Sequence, residues 1–264
     1  TEAYLGLTAF TILWRRISSP RTGHGTAVLM RYTLRLLTAQ QFERAGTLIC
    51  ALEQIRLNEN NELFGAEPIS IGLWVGDGLS PNTDPGAVSA LGKLQRDINA
   101  PNRFVLIKCP WCGARMGVVH NNPRTIKGIH KESRPSRVEL CCEAPDCDFS
   151  KQPMLPIHVV DERIYAYRPS LIVATVDKFA MLPWRKQSLV GRLFGVDTGG
   201  PDAPSLIIQD ELHLIAGPLG SMTGHYETLI DELCRGTINQ KPIRAKIVGS
   251  TATISRAAEQ VASL

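Results

Sequence analysis

The chain has no hydrophobic run of membrane-spanning length, because charged or polar residues interrupt its apolar stretches well short of about 20 residues. It opens Thr1-Glu2-Ala3, without an initiator Met and without the basic-then-apolar pattern of a secretory leader. These absences set the expectation of a soluble cytoplasmic protein. Charge of one sign is scarce: 29 Lys and Arg against 25 Asp and Glu leave a formal +4, so any basic surface has to be local. What is present is a globular composition, with 264 residues and 44% hydrophobic, enough to build a core in one large domain or two small ones. The final stretch, 254–264, stops inside a helical pattern. Together with the missing Met, that sets the expectation of a piece of a longer chain.

Short runs rich in Val, Ile and Leu fall at 26–30, 69–75, 104–107, 171–174, 206–209 and 246–249. They are apolar on both faces, as buried parallel strands are. Helical patterns lie between them at 2–16, 36–57 and 225–233; in the second, Ala45, Leu48, Ile49, Leu52 and Ile55 share one stripe. Alternation of this kind predicts an α/β fold built on a doubly wound parallel sheet, in which ligands sit at the carboxyl ends of the strands.

The stretch 108–161 breaks the pattern. It is polar and proline-rich, and it holds five of the seven cysteines. Cys109-Pro110-Trp111-Cys112-Gly113 is a knuckle: two thiolates on one tight turn, with Gly113 permitting the curl and Pro110 restricting it. A second half follows at Cys141-Cys142-Glu143-Ala144-Pro145-Asp146-Cys147. A tetrahedral Zn2+ needs four ligands, and Cys109, Cys112, Cys142 and Cys147 are the choices, with Cys141 the substitute for Cys142. Two disulfides are the rival pairing; a cytoplasmic chain with lone Cys50 and Cys234 on apolar helices argues against it. His120 and His130 read as solvated loop residues. The domain reading is therefore 1–107 and 162–264 as one lobe, interrupted by a zinc ribbon over 108–161, with Cys112→Ala expected to unfold the insertion and spare the sheet. Arg103, Lys108, Arg115, Arg124, Lys127, Lys131, Arg134 and Arg137 surround the ribbon. They suit either contact with phosphates or simple solubilisation of a small domain.

The richest segment is Leu206-Ile207-Ile208-Gln209-Asp210-Glu211-Leu212-His213, an apolar strand delivering two carboxylates and a histidine at its end. In a nucleotide-driven motor one such carboxylate holds the magnesium on the phosphates, and the next orients and deprotonates the attacking water. Asp210 and Glu211 fit those two roles. Asp-Glu at a strand end is by itself more often a solvated turn. Here a second buried strand, Lys246-Ile247-Val248-Gly249, runs into the hydroxyl-rich turn Ser250-Thr251-Ala252-Thr253. The pair resembles motifs II and III of superfamily 2 helicases, Asp-Glu-x-His followed by Ser/Thr-Ala-Thr. Thr1-Glu2-Ala3-Tyr4 is similar to the way the phosphate-binding loop of that superfamily continues after Gly-Lys, which would make Thr1 the loop's last residue and a magnesium ligand. The segment around Thr33 and Arg35 resembles motif Ia, and Ala174-Thr175-Val176-Asp177-Lys178-Phe179 resembles a later Thr-Pro-Glu/Asp-Lys turn. Both would meet a nucleic-acid backbone, through Thr33, Arg35, Thr175 and Lys178.

Thr-Glu-Ala-Tyr-Leu-Gly-Leu, Arg-Tyr-Thr-Leu-Arg-Leu-Leu-Thr-Ala-Gln-Gln-Phe, Cys-Pro-Trp-Cys-Gly and Gln-Asp-Glu-Leu-His-Leu-Ile narrow the match. In these the chain resembles the helicase subunit of DISARM anti-phage defence systems. The resemblance implies a RecA-like first motor lobe, ATP and Mg2+ as cofactors beside Zn2+, DNA as the track, a second RecA-like lobe and a partner defence subunit. On this reading Asp210 organises magnesium, Glu211 is the general base, and His213 with Ser250, Thr251 and Thr253 couples phosphate state to the nucleic-acid side. The 264 residues alone, lacking the rest of the phosphate loop, are expected to be inactive. Two other classes compete: a zinc-stabilised nucleic-acid-binding module without ATPase activity, and a metal hydrolase using Asp210 and His213 directly. The last is weakest, because no further His or carboxylate cluster completes its ligand set.

Overall fold

The computed structural model describes residues 2–33, 35–59, 63–121, 124–150, 154–184, 187–195, 202–215, 217–238 and 241–251. In chain order the elements are α1 (Glu2–Ser18), β1 (Val28–Tyr32), α2 (Arg35–Asn58), β2 (Ile71–Trp74), α3 (Asp84–Arg96), β3 (Gly117–Asn121), β4 (Arg124–Lys127), β5 (Ile129–Ser133), β6 (Ser136–Leu140) and β7 (Ile157–His158). There follow α4 (Asp161–Tyr167), β8 (Leu171–Thr175), α5 (Val176–Phe179), α6 (Gln187–Phe194), β9 (Leu206–Gln209), α7 (Gly217–Leu233), β10 (Gly236–Ile238), β11 (Lys241–Ile243) and β12 (Lys246–Gly249).

Six strands form one sheet in the order β12-β9-β1-β8-β2-β7, and the ladders between them are parallel. This α/β architecture with a six-stranded parallel sheet fits a RecA-like fold. The β1, β2, β8 and β9 residues are all buried, which explains why those strands are apolar on both faces. Alternate residues divide between two cores. Val28, Met30 and Tyr32 of β1 pack toward α1, α2 and α3 with Ile12, Phe42, Ile49 and Leu94. Leu29, with Ile172 and Ile207, packs toward α4 to α7 beside Phe179, Phe194 and Ile230. Arg31 falls on the strand position that alternation assigns to this second face. Register brings Arg31 level with Gln209 on one side and Ala174 on the other, and Gln209 level with Gly249. The carboxyl ends of four strands therefore open along one edge.

One expected strand is absent, and helices α3 to α6 are new. Residues 104–107 form a turn: the Asn102 side chain accepts from Phe104 N at 3.0 Å and donates to Leu106 O at 3.0 Å, and Val105 sits at φ 65°. A side chain has taken the backbone groups a ladder would need, although Phe104 and Leu106 are buried as an apolar run should be. The outer strand is instead the two-residue β7, which lies within 108–161 yet pairs with Ile71 and Gly72. Helix α3 carries start and stop signals in its sequence. Thr83 caps it by accepting from Gly86 N at 3.1 Å, Asp84 stands in its first turn, and Lys93 and Arg96 in its last. The helical pattern expected over 254–264 lies outside the described residues.

Buried charge ties α2 to the loop leading into β2. Glu53 and Arg56, both under 5% exposed, pair through two contacts of 2.6 and 2.8 Å, and Glu53 also accepts from Ile69 N at 2.7 Å. Arg56 donates to the Gly65 and Ala66 carbonyls, and Arg16 donates to those of Phe64 and Glu67. Burial, then the neighbouring Arg56, holds the Arg16 guanidinium down to about 10. Glu53 is the carboxylate that makes two buried guanidiniums tolerable. Glu53→Ala is expected to cost about 3–5 kcal/mol in chemical denaturation, the range for breaking a buried ion pair on one side. A loss below about 1 kcal/mol, as for an exposed pair, would show the network to be dispensable.

Candidate functional site

Strand β9 ends at Gln209, and the chain turns sharply through Asp210 and Glu211 into a single 3-10 turn, Leu212–Leu214. Glu211 takes the left-handed conformation, φ 52° and ψ 45°, which costs a non-glycine residue about 1–3 kcal/mol and is held by contacts on both sides. Asp210 N donates to Arg31 O at 3.1 Å, and Glu211 N donates to Asp210 Oδ1 at 3.0 Å. The β12 strand continues the pairing: Ser250 N donates to Gln209 O at 2.9 Å, and Leu212 N to Ser250 O at 2.8 Å. This brings Thr251 onto His213. The Thr251 hydroxyl accepts from His213 N at 3.2 Å and lies 3.1 Å from the ring Nδ1, which is itself 3.3 Å from Glu211 Oε2. Glu211, His213 and Thr251 thus form one half-exposed chain linking the ends of β9 and β12. Ser250 joins it through its backbone.

Tyr32, the last residue of β1, has its hydroxyl pushed above the usual range by burial and then by the nearby charges of Asp210 and Tyr4. Glu2 at the helix start pairs with Arg44 of α2. The helix N-terminus and Asp210 therefore share the surroundings of one tyrosine.

The other residues expected at this edge are dispersed. Thr33 is half-buried just past β1, with no partner for its Oγ1 among the described residues. Arg35 opens α2, but its side chain, like the whole of Thr1 and Thr253, lies outside the described residues. Thr175 ends β8 fully buried. Lys178 is 5% exposed, and its ammonium lies 2.8 Å from Asp161 Oδ2 in a buried pair that fastens α5 to α4. Sequence reasoning passed over Arg31 and Gln209. An arginine within the apolar run Val28-Leu29-Met30-Arg31-Tyr32 was the signal. Arg31 is 2% exposed, pairs with Glu227 of α7 at 2.6 Å and stacks 5.5 Å from the Phe179 ring centroid.

The second site is the cysteine cluster. Gly113 at φ 77° lets the first knuckle close, with Gly113 N donating to Cys109 O at 2.9 Å and Cys109 N to Ala114 O at 2.7 Å. The second closes through Cys147 N to Ala144 O at 3.1 Å and Cys142 N to Phe149 O at 3.0 Å. The Sγ atoms of Cys109, Cys112, Cys142 and Cys147 lie within 4.8 Å of one another, with Cys109–Cys147 at 3.9 Å and Cys112–Cys142 at 3.5 Å. Tetrahedral zinc with Zn–S of about 2.3 Å sets S···S separations of about 3.8 Å, whereas a disulfide needs about 2.05 Å. The cluster fits a metal such as zinc, and Cys141 stands apart from it. Burial pushes the Cys109 thiol up to about 11, a cost that a dication beside the sulfur reverses. Ala144 N donates to Cys142 Sγ at 3.4 Å, and the Trp111 ring stands edge-on to Phe149, with its Nε1 donating to Asp148 at 2.7 Å. Several of the surrounding cations are already engaged. Arg103 pairs with Asp77, Arg137 with Glu139, and Arg124 donates to the carbonyls of Leu94 and Ile98.

The fold and these two sites define an α/β domain with a carboxylate-bearing strand end and a four-cysteine cluster. No family model matches the chain. The chain is similar to the DISARM protein DrmA of Bacillus paralicheniformis, 35% identical over 99% of its length. It spans 26% of that protein, about a quarter. Over that quarter the chain is DrmA-like. Among the described residues, no helix is long and apolar enough to cross a membrane.

Cys109, Cys142 and Cys147 belong to the same core as β1, α2 and α3, joined through Met116, Phe149 and Leu155. The earlier expectation that the ribbon would unfold alone therefore changes. Protein purified without chelators is expected to carry about one zinc per chain. Cys142→Ala should remove it and lower the stability of the whole sheet in a single cooperative transition. Zinc content below about half an equivalent in folded protein, or sheet stability untouched by Cys142→Ala, would count against this.

Proposed function

We propose that the chain is the first RecA-like lobe of an ATP-dependent DNA helicase or translocase that works in anti-phage defence. The observation that carries the reading is the chain of contacts at the carboxyl edge, from Asp210 and Glu211 through His213 to Thr251 on the neighbouring strand. A motor has to relay the state of a nucleotide to a distant track, and two strand ends joined by side chains give it a means. The similarity to DrmA supports the defence role. In this reading residues 1–107 and 162–264 make up the lobe, and 108–161 a zinc-bearing insertion stitched to it through β7. A second RecA-like lobe and a partner defence subunit complete the cytoplasmic assembly.

The residues present suit a magnesium nucleotide. Asp210 is half-buried, its Oδ1 already fixed by Glu211 N, and in this reading the positive end of α1 turns to the same edge, where Thr1 would add a hydroxyl. Bound there, magnesium ATP supplies the phosphoryl group and the charge that Asp210 balances. Glu211 is held in its left-handed turn with its carboxylate against His213, a placement suited to accepting a proton from water. His213, Ser250, Thr251 and Thr253 carry the link to the track. Thr33 and Arg35 meet its backbone, with Thr175 and Lys178 shaping the turn after β8. The outer strand β12 is largely exposed, with Ile247 at 54%, which suits a further strand laid beside it.

In the full-length protein Glu211→Gln is expected to lower ATP turnover about 10²–10⁴-fold, the general-base range, while nucleotide binding persists. Asp210→Asn should weaken magnesium-dependent binding as well as turnover. If Glu211→Gln keeps more than about a tenth of wild-type turnover, outside that range, the motor reading fails. A zinc-stabilised nucleic-acid-binding module, supported by the cysteine cluster, would then replace it.

A further inference from the structure

The cysteine-rich insertion arranges charge in two ways. In the β5–β6 hairpin opposite signs meet: Glu132 faces Arg137 across the strands, and Arg137 also pairs with Glu139. In the first knuckle like faces like, for Lys108 and Arg115 are direct antiparallel partners on the two arms of the turn. The bonds flanking them run from Cys109 N to Ala114 O at 2.7 Å and from Met116 N to Ile107 O at 2.9 Å. That pattern makes theirs a non-hydrogen-bonded pair, the kind in which facing side chains stand closest, with Cβ atoms about 4.5–5.5 Å apart. Both residues are exposed, and neither has an ion-pair partner among the described residues. Like charges placed directly opposite are destabilising. Solubility alone would be served as well by the opposite-sign pairing of β5 and β6, without that cost.

An aromatic ring stands on the turn that joins the two arms. Trp111 is exposed, yet its ring is fixed by the bond to Asp148 and the contact with Phe149. With Lys108 it borders an open groove of about 290 Å³ between the knuckle and α2. Glu43, also on that groove, pairs with neither cation, and Arg44 there is matched by Glu2. Two cations without a counter-charge beside a rigid, accessible ring suit a single nucleic-acid strand, with phosphates on the cations and a base on the ring. We propose that the first knuckle grips single-stranded nucleic acid, Lys108 and Arg115 meeting adjoining phosphates and Trp111 stacking a base. The inference rests on the motor reading for the nature of the ligand, and it makes the insertion a hold on the track. The rival role for the two cations is electrostatic, since four thiolates around a dication leave a net negative charge to balance.

The test uses the full-length protein without nucleotide and a fluorescein-labelled single-stranded DNA oligonucleotide, read by anisotropy over a range of salt. Lys108→Gln combined with Arg115→Gln should weaken binding about tenfold or more at moderate salt. It should also flatten the slope of log affinity on log salt by about 1.4, from about 0.7 per phosphate contact on a single strand. Removing a like-charge pair should leave zinc content and thermal stability undiminished. Trp111→Ala should cost about fivefold or more in affinity, the loss of one stacked base, and Trp111→Phe should restore most of it. The motor reading is judged apart from this, by Glu211→Gln on ATP turnover without DNA, which the knuckle substitutions should not alter. Loss of zinc or of stability in the double variant would assign the cations to the metal centre and overturn the proposal. Unchanged affinity and slope in that variant, or no binding of the single strand by the wild-type protein, would overturn it equally.

Discussion

A parallel sheet covered on both faces has nowhere to put polar chemistry except at its strand ends, and this constraint organises the molecule. The β1, β8 and β9 ladders have their backbone groups bonded to one another, and their side chains fill two cores. Carboxylates could not be tolerated in mid-strand without partners. They appear one and two residues after β9 ends, where the chain turns and water or a ligand can reach them. Arg31 shows what an exception requires: a carboxylate at 2.6 Å from α7 and an aromatic face beneath it.

The cysteine cluster obeys the same economy of burial. Its two knuckles are tight turns whose backbone groups are satisfied locally, and Cys109, Cys142 and Cys147 enter the α1–α3 core instead of building a separate one. The contact of the first knuckle with α2 is close: a Cβ built on Gly46 would stand 3.4 Å from Pro110. A small region with two two-stranded hairpins has little apolar surface of its own, so it gains order by borrowing the core of the sheet, and its four thiols are placed where a metal such as zinc fits. This ties the cluster to the sheet.

The strand end and the cysteine cluster differ in what fixes them. Thr251 lies 38 residues from His213 along the chain, and the two meet because β9 and β12 pair in a single register. A slip of β12 by one residue would turn Ile247 and Val248 each to the other face of the sheet and carry Thr251 away from His213. A cavity behind them has the same origin, since its walls come from two strand ends and one helix face.

By itself the sequence determined the fold class, the strands that carry the edge, the four cysteines and the carboxylate pair. These are signalled by local pattern: apolar runs on both faces, two thiolates on a glycine-closed turn, charge directly after a strand. It also held a cap for α3 at Thr83 and a polar residue inside β1 at Arg31, which were there to be seen. The turn at 104–107 has a local cause as well, the asparagine side chain two residues upstream that competes for the backbone, whereas the remaining choices belong to the tertiary structure. It decided that β7 closes the sheet, that Lys178 is consumed by Asp161, and that Gln209 lines a cavity with an oxygen unmatched among the described residues. Each depends on which distant group comes within about 3 Å, and residue order carries that only through the packing of the whole.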